Sequence, residues 1–347
     1  MNKLKLSAVL LVFCVLQSCT NEQHPISFYH WKTGFAPVEN ERVFLEESEN
    51  TKVYVRAFDL LWNARTQQEE QVSFMKVKQD SLKFIDEVAL VVYIENHLIR
   101  NISERKLLFL AARTAQLLRR SRGQFEANNS NIKLYELQID CDWTLKSRDK
   151  YFKFLELMDQ EARRVGFTKL TTTIRLHQVK FMEKTGIPPV DEGVLMFYNM
   201  GDVEDPLERN SILNLETAKQ YTSRLKEYPL PLDVALPLFS WGVQYRDGRA
   251  VQIINSLNKE DVESCGCCTK IDDNRYEVKT PMYLNNRYLY VGDQVRIEAV
   301  EKDQLEEAAE LLSDEMPTED YRLIFYHLDY KLLKDYSYEE LKALAEI

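Results

Sequence analysis

The chain has 347 residues, 45% of them apolar and 29% charged, with a formal net charge of -10. That is enough apolar material for one large core or two small ones. The acidic balance argues against nucleic acid as a partner, because phosphate binding needs a basic surface.

The first segment reads as processing, not fold. Lys3 and Lys5 precede an apolar run from Leu6 to Leu16, too short to span as a mature helix. It ends in Leu16-Gln17-Ser18-Cys19. A small residue before a cysteine, directly after the apolar run, resembles the lipobox of bacterial lipoproteins. The resemblance implies a signal peptide over 1–18, lipidation at Cys19, a tether over 19–27 and a place in the bacterial cell envelope, at the outer membrane or its periplasmic face. Acyl chains add about 0.8 kcal/mol per buried CH₂. The alternative is a plain secretory signal with a chance cysteine. No second membrane span follows.

Residues 28–347 then show strand-like runs that alternate with helices or loops. Phe28 to Trp31 is the first run, Val38 to Glu49 a short helix, and Lys52 to Leu61 a β-branched and aromatic strand. Residues 63–83 are polar and Gln-rich and read as a long loop. Val88 to Ile94 reads as a fully buried strand closed by Glu95. Ser103 to Arg122 predicts a helix with an apolar stripe, its six arginines from Arg100 on reading as a solvated face. Lys133 to Asp142 is a strand. Ser147 to Val165 is a helix that Gly166 ends.

Lys169 to His177 and Val194 to Asn199 are the next strands, and Asn214 to Tyr228 a helix stopped by Pro229. Asp233 to Trp241 is strand-like but holds Pro237, so it is irregular. Arg246-Asp247-Gly248-Arg249 reads as a hairpin turn inside a mostly β insertion at about 243–300. Glu301 to Ser313 is a helix, Arg322 to Leu328 the last strand, and Tyr338 to Ile347 a final helix. Cys141, Cys265, Cys267 and Cys268 remain in the body. The Cys-Gly-Cys-Cys cluster reads as a local disulfide or free thiols rather than a structural metal, since its spacing fits no paired zinc pattern.

Eight main strands, most followed by a helix, predict a (β/α)₈ TIM-type barrel, with an open doubly wound sheet as the alternative. No Gly-rich phosphate loop follows any strand and only ten glycines occur, which argues against a dinucleotide fold and calls for no cofactor. A barrel places its site at the C-terminal ends of its strands. Those positions hold His30 and Trp31; Asp59 and Trp62; Glu95; Asp140, Asp142 and Trp143; Arg175 and His177; Tyr198, Asn199 and Asp202; Ser240 and Trp241; and His327 with Asp329. Asp140 and Asp142 are two apart, so on a strand they share a face. Paired carboxyls suit acid–base work, because one can stay ionised while its neighbour keeps a proton. The expected substrate contacts are Trp31, Asp59, Glu95, Trp143, His177, Asn199 and Trp241, with core packing as the alternative for each indole. No metal-ligand set is expected. Arg56, inside an apolar strand, needs a buried partner such as Glu95 or Glu136.

Asp140-Cys141-Asp142-Trp143-Thr144 resembles the Asp-x-Asp-x-Glu signature on the fourth strand of chitinase-type (family 18-like) glycoside hydrolases. Met196-Phe197-Tyr198-Asn199 resembles their Met-x-Tyr-Asp element on strand six. The resemblance implies a glycan or oligosaccharide partner. It gives Asp142 the role of steadying the substrate acetamido group and Tyr198 that of positioning it, so Asp140, Asp142 and Tyr198 are the implied catalytic set. Thr144 stands where the family has its acid, and a hydroxyl cannot serve as a general acid near neutral pH; Asn199 replaces the usual Asp. Glu95, Asp59 and Asp202 are the candidate substitutes. Glu136 to His177 also resembles uncharacterised bacterial barrel proteins with a Gln-Ile-Asp-x-Asp strand and an Arg-x-x-Tyr helix, here Arg148 and Tyr151. Two readings follow: a glycoside hydrolase with a nonstandard acid, or an inactive barrel that binds a glycan or supports an envelope complex. A third makes the insertion at 243–300 a surface for a protein partner.

Overall fold

The computed structural model describes residues 24–48, 51–78 and 81–347. The expected signal peptide and the lipidation site Cys19 lie outside them. Eight parallel strands form the centre: β1 Ile26–His30, β2 Lys52–Asn63, β3 Glu87–Ile94, β4 Glu136–Asp140, β5 Lys169–Arg175, β6 Glu192–Met196, β7 Leu232–Pro237 and β8 Leu323–Tyr326. Each pairs with its successor, and β8 returns to β1 through Ile26↔Leu323 and Tyr29↔Tyr326. The sheet is a closed barrel, as expected.

Alternation decides which side chains fill it. On β4, Leu137 and Ile139 are fully buried against the surrounding layer. Glu136, Gln138 and Asp140 point inward and find partners on other strands. At the base, Glu136 meets Lys52 Nζ at 2.5 Å and accepts from Thr171 Oγ1 at 3.0 Å. In the middle, Tyr29 donates to Gln138 Oε1 at 2.7 Å. At the top, Thr173 donates to Asp140 Oδ1 at 2.8 Å. The interior is therefore a stack of polar rungs whose carboxyl and amide oxygens are paired, as burial favours, while Gln138 Nε2 has no partner.

The outer helices are amphipathic. Arg148–Arg164 buries Tyr151, Phe154, Leu155, Met158 and Ala162 on one face, the spacing of a helix stripe. Tyr151 reaches through to Thr172 Oγ1 at 2.6 Å, on the outward side of β5.

Between β7 and β8 the chain builds a lobe. Its antiparallel sheet runs in the order Arg249–Asn255, Trp241–Arg246, Gln294–Glu298, Arg275–Val278, Cys268–Lys270. Asp247 and Gly248 take φ of 51° and 74°, as the two-residue hairpin turn requires. The lobe has its own apolar cluster around Tyr276, Val295 and Ile297. Its strand Gln294–Glu298 holds a buried pair, Arg296 Nε to Glu298 Oε1 at 2.6 Å, whose other atoms reach the segment after β6. Glu298 Oε2 accepts from Ser211 N and Oγ, both at 2.6 Å, and Arg296 donates to Asp205 O at 2.6 Å.

Several expectations are corrected. Residues 63–83 are not all loop: Gln68–Val72 pairs antiparallel with the overshooting end of β2, and Lys76–Val77 pairs with Gly34–Phe35. That hairpin is half-exposed and polar, so it carries no β-branched signal. The fourth strand begins at Glu136 and ends at Asp140, not at Asp142. The helix expected to Tyr228 spans Leu215–Thr222, with a 3₁₀ turn at Leu225–Glu227. Arg56 pairs with neither Glu95 nor Glu136; its guanidinium grips Asp59, with Nε to Oδ1 at 2.6 Å.

Candidate functional site

The strand ends surround a cavity of about 400 Å³. One wall is aromatic. Tyr326, the last residue of β8, has its ring centre 5.6 Å from Trp31, 5.6 Å from Tyr198 and 5.7 Å from Phe239. Phe239 continues to Trp241 at 5.2 Å. Trp241 is the first residue of the lobe sheet, and its indole donates to Glu298 Oε2 at 3.1 Å. The lobe thus supplies part of the cleft and fixes its ring.

The opposite wall is polar and comes from β4 and β5. Asp140 sits at the inner end. Burial and the neighbouring Asp142 push its carboxyl up to about 6, against Arg175 and the Thr173 hydroxyl, which pull it down. Arg175 Nε meets Asp142 Oδ1 at 2.5 Å, and the guanidinium lies 5.8 Å from the Tyr198 ring centre. Arg175 Nη1 is buried without a partner, and so is His327 Nδ1. Burial, first, and Lys32 hold His327 down at about 4 against Asp329, so at neutral pH its ring is uncharged. The Tyr198 hydroxyl donates only to Met196 Sδ, at 2.9 Å, a weak acceptor that a ligand oxygen could replace. The other cations here are already matched. Lys32 meets Glu41 at 2.7 Å and Asp329 at 3.2 Å, and Arg56 holds Asp59.

Of the residues expected at the substrate, Trp31, Asn199 and Trp241 line the cavity, together with Asp140 and Tyr198 from the implied catalytic set. Asp142 does not line it; it holds Arg175, which does. Four others lie elsewhere. Trp143 is 1% exposed and stacks on Tyr151 at 5.3 Å, on the helix side of the barrel. Asp59 is buried beneath Arg56. The β-bulge between Arg56 and Phe58 changes which side chains of β2 face inward. Glu95 accepts from Trp62 N at 2.8 Å and joins the ends of β2 and β3. His177 lies on the helix Leu176–Lys180, beside a separate depression that also holds Thr144.

Thr144 is exposed and used as a helix start. Its N–H donates to Ser147 Oγ at 2.9 Å, and its carbonyl accepts from Ser147 N and Arg148 N. Asp202 caps its own turn by accepting from Glu204 N at 2.9 Å and does not line the cavity. Sequence reasoning left Tyr326, Phe239, Arg56 and Arg175 out of the expected site, although Arg175 stood at a strand end. Parity would have found two of them. Arg56 continues the inward series Lys52, Tyr54, and Arg175 continues Thr171, Thr173. Among the described residues no group of three or more His, Cys, Asp and Glu side chains is placed to hold a metal ion.

No family model matches the chain, and no curated protein matches it by sequence. Solved structures do. The chitinase from Chromobacterium violaceum ATCC 12472 is 11% identical with a TM-score of 0.53, over 92% of this chain and 98% of that one. A class V chitinase from Pseudomonas fluorescens Pf-5 is 10% identical with a TM-score of 0.52, over 88% and 96%. At such identities the likeness shows the fold alone: a closed parallel barrel like that of these two chitinases, with extra strands outside it.

Proposed function

We propose that this chain is an envelope lipoprotein whose barrel cleft binds a glycan without hydrolysing it. One observation carries the reading: Asp140 is the single carboxylic acid among the residues that line the cavity. Glycosidic hydrolysis ordinarily needs two carboxyl groups flanking the bond. The other acids nearby are committed, Asp142 to Arg175 and Asp59 to Arg56. The position that resembles the family's acid, Thr144, is spent on a helix start.

What remains suits a sugar. Trp31, Tyr326, Phe239 and Trp241 offer ring surface for the apolar face of a pyranose. Arg175 Nη1, the Tyr198 hydroxyl and His327 Nδ1 offer polar atoms for its oxygens and, by the resemblance, for an acetamido carbonyl. The volume falls in the lower part of the roughly 300–1,000 Å³ range of small-ligand pockets. Because the cavity's cations are neutralised in place, it favours a neutral glycan over a strongly anionic one.

A second reading has one observation in its favour. A carboxyl held near 6 is partly protonated close to neutrality, so Asp140 could act as the acid of a substrate-assisted hydrolysis. The two readings separate by titrating the chain with β-1,4-linked N-acetylglucosamine oligomers and a wider glycan panel, with new reducing ends measured in the same samples. Binding without turnover supports the proposal, and turnover abolished by Asp140→Asn supports the alternative. The membrane part is tested separately: Cys19→Ala should move the protein from the membrane fraction to the soluble envelope fraction.

A further inference from the structure

Three sulfur atoms meet in the lobe, away from the cleft. Cys265 Sγ and Cys268 Sγ each lie 3.7 Å from Met282 Sδ. Both cysteines are free thiols. They come from different elements: Cys265 follows the helix Lys259–Glu263, Cys268 opens the strand Cys268–Lys270, and Met282 opens the strand Met282–Leu284.

The backbone holds this arrangement in advance. Lys279 N and Thr280 N both donate to Cys267 O, at 2.8 and 3.1 Å. Gly266 takes φ of +64°, a conformation that side-chain-bearing residues adopt with strain. The turn it permits aims Cys267 N–H at Cys265 Sγ, 3.2 Å away. Cys267 directs its own thiol to Cys265 O at 3.3 Å, so it contributes an amide rather than a sulfur ligand.

The spacing has chemical content. A thiolate binds a soft cation at about 2.3 Å, and ligands sharing such an ion then lie about 3.8–4.0 Å apart. The two 3.7 Å separations are close to that edge. Zinc takes Cys, His and carboxylate ligands, four at a time in structural sites. Two thiolates and a thioether instead form a donor set that selects copper(I). We propose that Cys265, Cys268 and Met282 are a three-coordinate copper(I) site, each thiol losing its proton as the ion binds.

The test uses the full chain, reduced under anaerobic conditions and titrated with copper(I) against the chromophoric chelator bicinchoninate. One equivalent should be withdrawn from the chelator, and X-ray absorption should show a shell of three sulfurs at about 2.3 Å. The double variant Cys265→Ser/Cys268→Ser should lose at least about 100-fold in affinity and Met282→Leu about tenfold, since even outer partners of metal ligands are worth 10–100-fold. Thermal melts of the metal-free variants check that they fold, and the absorption spectrum of the unmodified chain tests the site without any variant. No withdrawal of copper, an oxygen- or nitrogen-dominated shell, or unchanged affinity in the double variant overturns the proposal. So does a Cys265–Cys268 disulfide in the isolated protein that resists mild reductant.

Discussion

Arg175 Nε lies 2.5 Å from Asp142 Oδ1, just past the end of β4 and above the contact between Thr173 on β5 and Asp140 on β4. Both carboxyls are therefore held from β5, and the upper one is neutralised before any ligand arrives. Arg175→Leu removes that partner and also the buried, unpartnered Nη1 donor. Glycan affinity should fall by about tenfold or more, the worth of one hydrogen bond to a charged group. Arg175→Lys should not restore it, because an ammonium cannot make two directed contacts at once. Calorimetric titration of the three forms checks this, and unchanged affinity in the leucine form would refute the role.

Asp140 makes stability depend on pH in a direction opposite to most carboxylates. Burial and Asp142 raise its folded value to about 6 from an ordinary 3.8. Between those values the folded state binds more protons than the unfolded one, so stability falls as pH rises through the window. Asp140→Asn keeps an oxygen for Thr173 and removes the titration. It should stabilise the protein by about 2–3 kcal/mol above pH 7 and by little below pH 4. Melting curves from pH 3.5 to 8 measure it; a gain that is constant across pH would contradict the account.

Glu136 behaves the other way. Burial raises its carboxyl, but Lys52 and Lys169 outweigh burial and hold it below its ordinary 4.5. Its contribution is thus present above that value and lost as pH falls through the folded one. Lys52→Met leaves the carboxylate buried beside Lys169 alone, 3.7 Å away. It should cost about 3–5 kcal/mol at pH 7, and much less at pH 3, by urea unfolding.

Glu298 joins the lobe to the cleft. Its carboxylate takes Arg296, Ser211 and the Trp241 indole together. Glu298→Gln leaves Arg296 buried with its charge uncompensated, so stability should drop by about 3–5 kcal/mol. Trp241 should also lose its fixed orientation, seen as a change in tryptophan fluorescence anisotropy and a weaker glycan complex. If the lobe only decorated the barrel, the stability loss would leave glycan affinity untouched.

The barrel was legible because its strands are apolar runs at barrel spacing, and the fourth and fifth strands marked the polar wall. The alternation that put Asp140 and Asp142 on one face also carries the error over Trp143. Position 143 is odd in that series and falls with Ile139 and Cys141, toward the helices. His177 and Thr144 have the right parity but lie beyond the strand ends, where turns and helix starts cancel it. Asp59 faces inward through a bulge that no residue type announces, and there it is buried in its pair with Arg56. Ser211 and Asp205, which Glu298 and Arg296 hold, lie 87 and 91 residues away, and only the closed fold brings them together.

The central claim is that the cleft holds a glycan and does not cut it. The most direct measurement is one titration of the full chain with a β-1,4-linked N-acetylglucosamine oligomer, followed by heat of binding and by release of new reducing ends. The account predicts saturable binding that Trp241→Ala weakens, with no release above the rate without protein. Steady release that Asp140→Asn abolishes would contradict it.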